Sequence, residues 1–96
     1  MFTIIRTQTI VENLQNCRLI NILYKNDEYI LFIKPHEFTY DSIVSKLITL
    51  RYTNDSMQAI INNYLLDKEE KHIAEFNKMQ EYRKECKEFA KTILSM

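Results

Sequence analysis

Glycine is absent from this chain of 96 residues, where average usage would place about seven. The absence excludes the P-loop, the dinucleotide-binding fingerprint and the glycine-rich anion nest. It also obliges every turn to use Asn, Asp or ordinary type I geometry. Proline occurs once and cysteine twice. Cys17 and Cys86 fall in separate expected elements and give neither a metal spacing nor a disulfide framework, so two buried free thiols in a reducing compartment are expected. No charge excess is present: Lys plus Arg and Asp plus Glu are 13 each. Counterion release from a phosphate backbone needs surplus cations, so this balance argues against a nucleic-acid partner. No long unbroken apolar run occurs, which excludes a membrane-spanning helix. The opening segment MFTIIRTQTIVENL lacks the basic and continuously apolar regions of a signal peptide, and a soluble protein made in a cytoplasm is expected.

What is present is an ordinary hydrophobic fraction, 46%, which is enough for a packed core. The length suits a single domain, 1–96, able to bury roughly 60–65% of its unfolded surface. Residues 1–34 are β-rich and residues 39–96 helical. Phe2 to Ile10 is rich in Thr and Ile, which suit a pleated surface, and polar residues from Glu12 to Asn16 interrupt it. Arg18 to Lys25 and Glu28 to Lys34 are two further β-type runs, with Asn26-Asp27 between them as the hairpin signal. Both faces of the last run are apolar (Tyr29, Leu31 and Ile33 against Ile30 and Phe32), which predicts a central or doubly covered strand. Pro35 ends it.

Three helices are predicted after Pro35. Thr39 and Thr53 have the form of N-caps, each with a hydrophobic pair positioned as a staple: Phe38 with Ile43, and Tyr52 with Met57. The first helix spans about Tyr40 to Tyr52 and buries Ile43, Val44, Leu47 and Ile48. The second spans about Asn54 to Leu66, with Met57, Ile60, Ile61, Tyr64 and Leu65 on one face. Asp67, with Glu70 as its capping-box partner, is expected to open the third, near 68–94. Its apolar stripe runs through Ile73, Phe76, Met79, Tyr82, Cys86, Phe89, Ala90 and Ile93. The fold class is therefore α+β: a small antiparallel sheet followed by three helices that cover one of its faces, the last helix long.

Candidate sites are few. His36 beside Glu37 has no nucleophile near it in sequence, and reads as a solvated loop histidine. Glu69 and His72 have the i, i+3 spacing of a carboxylate–histidine metal motif, but a second such pair is missing. Tyr52, Tyr64 and Tyr82 lie on apolar faces and read as packing residues. Glu75 with Lys78, Glu81 with Lys84, and Glu88 with Lys91 form a charged face on the third helix, one that could also align it against a second helix. No catalytic, cofactor-binding or metal-binding residue is expected. A third helix of this length should outrun the domain, leaving its C-terminal half as a protein interface. That half carries Tyr82, Cys86, Phe89, Ile93 and Leu94, with Glu85, Lys87 and Lys91 at the rim.

The stretch LRYTNDSMQAIINNYLLD, followed by EFNKMQEYRKECKEFAK, resembles a pattern in small proteins of bacteriophages and prophages of gut bacteria, crAss-like phages among them. The matching residues are Arg51, Tyr52, Thr53, Asn63, Tyr64, Tyr82, Arg83 and Lys87, within Leu50 to Lys91. The resemblance implies a non-enzymatic phage protein, either a virion component or an assembly factor. Its partners would be virion proteins or copies of itself, in the virion or the host bacterial cytoplasm. A phage-encoded inhibitor or regulator of a host protein, or a small DNA-binding regulator, is the alternative.

Overall fold

The computed structural model describes residues 1–10 and 16–96. Three antiparallel strands, β1 (Phe2–Ile10), β2 (Cys17–Tyr24) and β3 (Asp27–Ile33), form a meander with β2 in the centre. Then come a single 3₁₀ turn (Pro35–Glu37) and the helices α1 (Tyr40–Thr49), α2 (Asn54–Leu66) and α3 (Glu70–Leu94). This is the expected α+β fold. Of the polar interruption expected at Glu12 to Asn16, all but Asn16 lies outside the described residues.

Strand alternation sorts the sheet into two faces. Ile20, Ile22 and Tyr24 of β2 and Leu31 and Ile33 of β3 point at the helices and are buried, together with Phe2 of β1. Leu19 and Leu23 lie on the opposite face opposite Phe32 and Glu28, and Ile30 there is 61% exposed. β3 is thus an edge strand covered on one side. Its two apolar faces suggest a central or doubly covered strand, but among the described residues the outer-face Leu19, Leu23 and Phe32 are only half-buried and none belongs to the core under the helices.

The hairpin turn also differs from expectation. Tyr24 pairs with Asp27, so Lys25-Asn26 is the two-residue loop, and the positive φ falls on Lys25, at 55°. Without glycine, a side chain with a Cβ must occupy that conformation, at a cost of roughly 1–2 kcal/mol. Asn16 holds a second positive φ, 60°, in the region that Asn tolerates best among ordinary residues.

The two threonine caps form as expected. Thr39 Oγ1 accepts from the Ser42 N–H at 3.3 Å and Thr53 Oγ1 from that of Ser56 at 3.0 Å. α1 is shorter than expected; it ends at Thr49, and Leu50 to Tyr52 continue it only as turns closed onto Leu47 and Ile48. α3 does not open with an Asp67 cap. Asp67 ends α2, and its carboxylate reaches the Glu69 N–H at 3.1 Å, so the helix starts at Glu70.

The largest correction concerns α3. Its C-terminal half does not outrun the domain. Tyr82 (3% exposed), Cys86 (0%), Phe89 (8%) and Ile93 (0%) are core residues, packed with Ile43 and Leu47 of α1 and the inner face of the sheet. Leu94 and Glu85 are half-buried, and Lys87 and Lys91 are exposed. The chain reverses at the α2–α3 turn, so α3 enters from the far end and brings its last turns onto the sheet. What projects is α2 with the first turns of α3. α2 packs against α3 and buries no residue completely, and Leu65 and Leu66 near its end are 66% and 82% exposed. The molecule is accordingly elongated, 51 × 24 × 19 Å.

Two stability measurements follow. In denaturant titration, Ile93→Ala should lose roughly 2–5 kcal/mol, whereas Leu66→Ala should stay within about 0.5 kcal/mol of the parent. Lys25→Gly should raise stability by roughly 0.5–1 kcal/mol, as relief of the strained φ exceeds the added entropy of the unfolded chain. A loss would show that the Lys25 backbone is unstrained.

Candidate functional site

Most of the polar contacts between distant segments converge where α1 ends, at the sheet's hairpin end and beside the middle of α3. The turn after α1 aims Arg51 at the sheet. Its Nη1 donates to Tyr29 Oη at 2.9 Å and to Asp27 Oδ2 at 3.2 Å. The guanidinium carbon lies 5.1 Å from the Tyr24 ring centroid and 5.8 Å from that of Tyr82, within cation–π range. Tyr24 donates its hydroxyl proton to the Glu85 carboxylate, and Tyr82 donates to the Leu47 carbonyl at 2.5 Å. Tyr24 and Tyr82 meet edge to face at 5.1 Å. A cleft of about 160 Å³ opens over this cluster, with Lys25, Lys78 and Glu81 at its rim.

The proton affinities in the cluster run away from reactivity. Burial pushes the Cys86 thiol up to about 12. Burial also raises the Tyr82 hydroxyl, and it raises that of Tyr24 with further help from Glu85. Nucleophiles are activated by the opposite shift. Burial disfavours the Arg51 charge, but Tyr29 and Asp27 outweigh it and hold the guanidinium protonated. The arrangement clamps α1, the sheet and α3 together, and its polar groups are spent on one another.

At the far end of the molecule, Asp67, Glu69 and His72 place one ligand-type atom each within 4.8 Å of one another. Sequence spacing singled out Glu69 and His72; the turn adds Asp67. Asp67 Oδ1 lies 2.6 Å from His72 Nδ1 and also accepts the Glu69 N–H. These bonds, with His72 first, hold the Asp67 carboxyl below the usual carboxylate range, and the group is accounted for as the lock of the α2–α3 turn. His36 is exposed. Its neighbour Glu37 turns instead to the Lys34 N–H at 3.0 Å and to Lys46 Nζ at 3.2 Å. Among the described residues, none of the pairs Glu75–Lys78, Glu81–Lys84 and Glu88–Lys91 closes to an ion pair.

The interface expected on α3 is thus not one surface: Cys86 and Ile93 lie inside the protein, Phe89 is buried but lines a groove beside β1 with Glu85, and Tyr82 lines the cleft over the Arg51 cluster. Sequence reasoning missed the exposed end of α2. The Leu65-Leu66 pair, directly before the helix-ending Asp67, was the available signal, since one helical face cannot bury two consecutive leucines equally. It also missed Arg51 as a clamp, although Arg51 and Tyr52 stand among the residues that carry the resemblance. No protein-family model, curated protein or solved structure matches this chain.

The pH dependence of stability follows from the buried acids. In the unfolded chain Cys86 titrates near 9.0, but in the folded protein it keeps its proton to about 12. Because the folded value is the higher one, its contribution is complete below pH 9 and is lost as pH rises above it. The unfolding free energy from urea titrations should hold steady from pH 7 to about 8.5, then fall by on the order of 1 kcal/mol per pH unit, with the midpoint falling in step. A midpoint unchanged at pH 10 would show that the thiol is accessible to solvent.

Proposed function

We propose that this chain is a non-enzymatic bacteriophage structural or assembly protein that docks its helical arm, α2 with the first turns of α3, onto other protein chains. The observation that carries the docking role is the arm itself. α2 buries none of its residues completely, and it ends on two leucines with 66% and 82% of their surface in water. Burying a leucine fully on a partner is worth roughly 1.5–3 kcal/mol, so this end of the arm is a ready anchor. The raised proton affinities of Cys86, Tyr24 and Tyr82 support a non-enzymatic reading, since none is poised as a nucleophile at neutral pH.

The phage assignment rests on the resemblance within Leu50 to Lys91, which includes the whole arm. It puts the partners among virion proteins or further copies of this chain, in the particle or the host bacterial cytoplasm. Among the described residues no helix is long and apolar enough to cross a membrane.

Mass spectrometry of purified particles is the direct test, and the chain should be detected at a reproducible copy number. Absence from the particles would remove the virion-component reading. The arm is tested separately by the double substitution Leu65→Asp and Leu66→Asp. The variant should keep its circular dichroism spectrum and melting temperature and lose incorporation into particles; unchanged incorporation would exclude the arm as the docking surface.

A further inference from the structure

A second surface lies on the other side of the molecule from the arm's exposed end and owes nothing to the phage resemblance. Among the described residues β1 pairs only with β2, which leaves its other edge without a strand partner there. Along that edge runs a groove of about 370 Å³ between β1 and α3. On the strand side it is lined by four consecutive residues, Met1 to Ile4. Successive side chains of a strand point to opposite faces, so a groove that touches all four follows the edge of the strand rather than one face of the sheet. Its other wall is one face of α3, at i, i+3, i+4 and i+7: Glu85, Glu88, Phe89 and Thr92.

We propose that this groove receives an extended segment of another protein, added as a fourth strand beside β1, which carries an apolar side chain and a Lys or Arg two residues from it. Backbone groups on the free edge of β1 supply the ladder bonds of such an addition. The apolar side chain rests on the floor that Phe2 and Phe89 form, their rings stacked at 4.9 Å. Residues i and i+2 on a strand are about 6.6 Å apart, close to the rise of about 6 Å over one turn of helix between Phe89 and Glu85. The basic group two residues away therefore reaches the carboxylates. Glu85 already engages the Met1 amino group at 3.6 Å and the Tyr24 hydroxyl. Among the described residues Glu88 is exposed and has no ion-pair partner, and no basic side chain lines the groove. The charge at the mouth therefore selects a cation.

A second copy of this chain is the poorer occupant. The side chains that its own β1 would have to insert are Phe2 and Ile4, and both are committed to the core, Phe2 at 7% exposure. A register shift between Ile4 and Arg6, with Ile5 as the extra residue, also breaks the ladder just beyond the groove. Such a break discourages continuous edge-to-edge pairing and limits the added strand to a short segment.

The test uses labelled threonine-based nonapeptides with Ile at position 5 and Lys, Glu or Ser at positions 3 and 7 (Ile/Lys, Ile/Glu and Ile/Ser), titrated onto the full chain by fluorescence anisotropy and followed by amide chemical shifts. The Ile/Lys peptide should bind at least about tenfold more tightly than the Ile/Glu peptide, with shifts confined to Met1–Ile4 and Glu85–Thr92. Glu88→Lys, at an exposed position, should keep the melting temperature and reverse the preference towards Ile/Glu. The double Leu65→Asp, Leu66→Asp variant should bind as the parent does, which separates this groove from the arm. Equal affinity for the Lys and Glu peptides, shifts centred on α2, no binding at millimolar peptide, or self-association of the free protein through β1 would each overturn the proposal.

Discussion

The burial of one stripe of α3 against one face of a three-stranded sheet is the constraint on which the rest of the molecule depends. Tyr82, Cys86, Phe89, Ala90 and Ile93 lie in the same cluster as Phe2, Ile20, Ile22, Tyr24, Leu31 and Ile33. The apolar face of a three-stranded sheet must be buried against a second layer, and a helix laid across it supplies that layer. α1 completes that layer with Ile43 and Leu47. The aromatic members meet ring to ring, Phe2 with Phe89 and Tyr24 with Tyr82, so the stripe is matched in shape as well as in apolarity.

Polar contacts then orient what burial brings together. Hydrophobic burial is non-directional, and a helix on a sheet could slide or rotate at little cost. The Tyr24–Glu85 and Tyr82–Leu47 hydrogen bonds and the Arg51 contacts with Asp27 and Tyr29 tie three segments at one end of the sheet. Partners excluded from water are expensive to separate. The same exclusion raises the proton affinity of Cys86, Tyr24 and Tyr82, so the means of orienting the fold also quenches the chemistry of its most reactive side chains.

Once the last four turns of α3 are spent on the core, two of the surfaces that remain among the described residues differ in kind. The arm presents apolar side chains at a convex end, suited to insertion into a partner. The groove beside β1 is concave and acidic at the mouth, suited to accepting one. They are joined by α3, a single helix of 25 residues, which forms part of both.

Element type was legible in the chain because periodicity and caps are local. The span of α2, the caps Thr39 and Thr53, the three β-type runs and the apolar stripe of α3 all follow from neighbours within a few residues. Details set by competition between neighbouring residues were less legible. The positive φ fell on Lys25 rather than on the Asn or Asp beside it, because strand pairing extended to Tyr24 and Asp27 and left only Lys25-Asn26 for the loop. Asp67 served the end of one helix and the approach to the next, where a single cap was expected. Which half of α3 is buried was not legible at all. Ile73 and Phe76 repeat with the same period as Phe89 and Ile93, so pattern alone ranks the two ends equally. The direction in which α2 leaves α1 decided it, by carrying the start of α3 away from the sheet and returning its end. The sequence alone determined which residues form helices, strands and an apolar stripe. Tertiary structure decided which part of that stripe is core and which surfaces remain open, because burial depends on where the chain reverses in space, and no residue encodes that by itself.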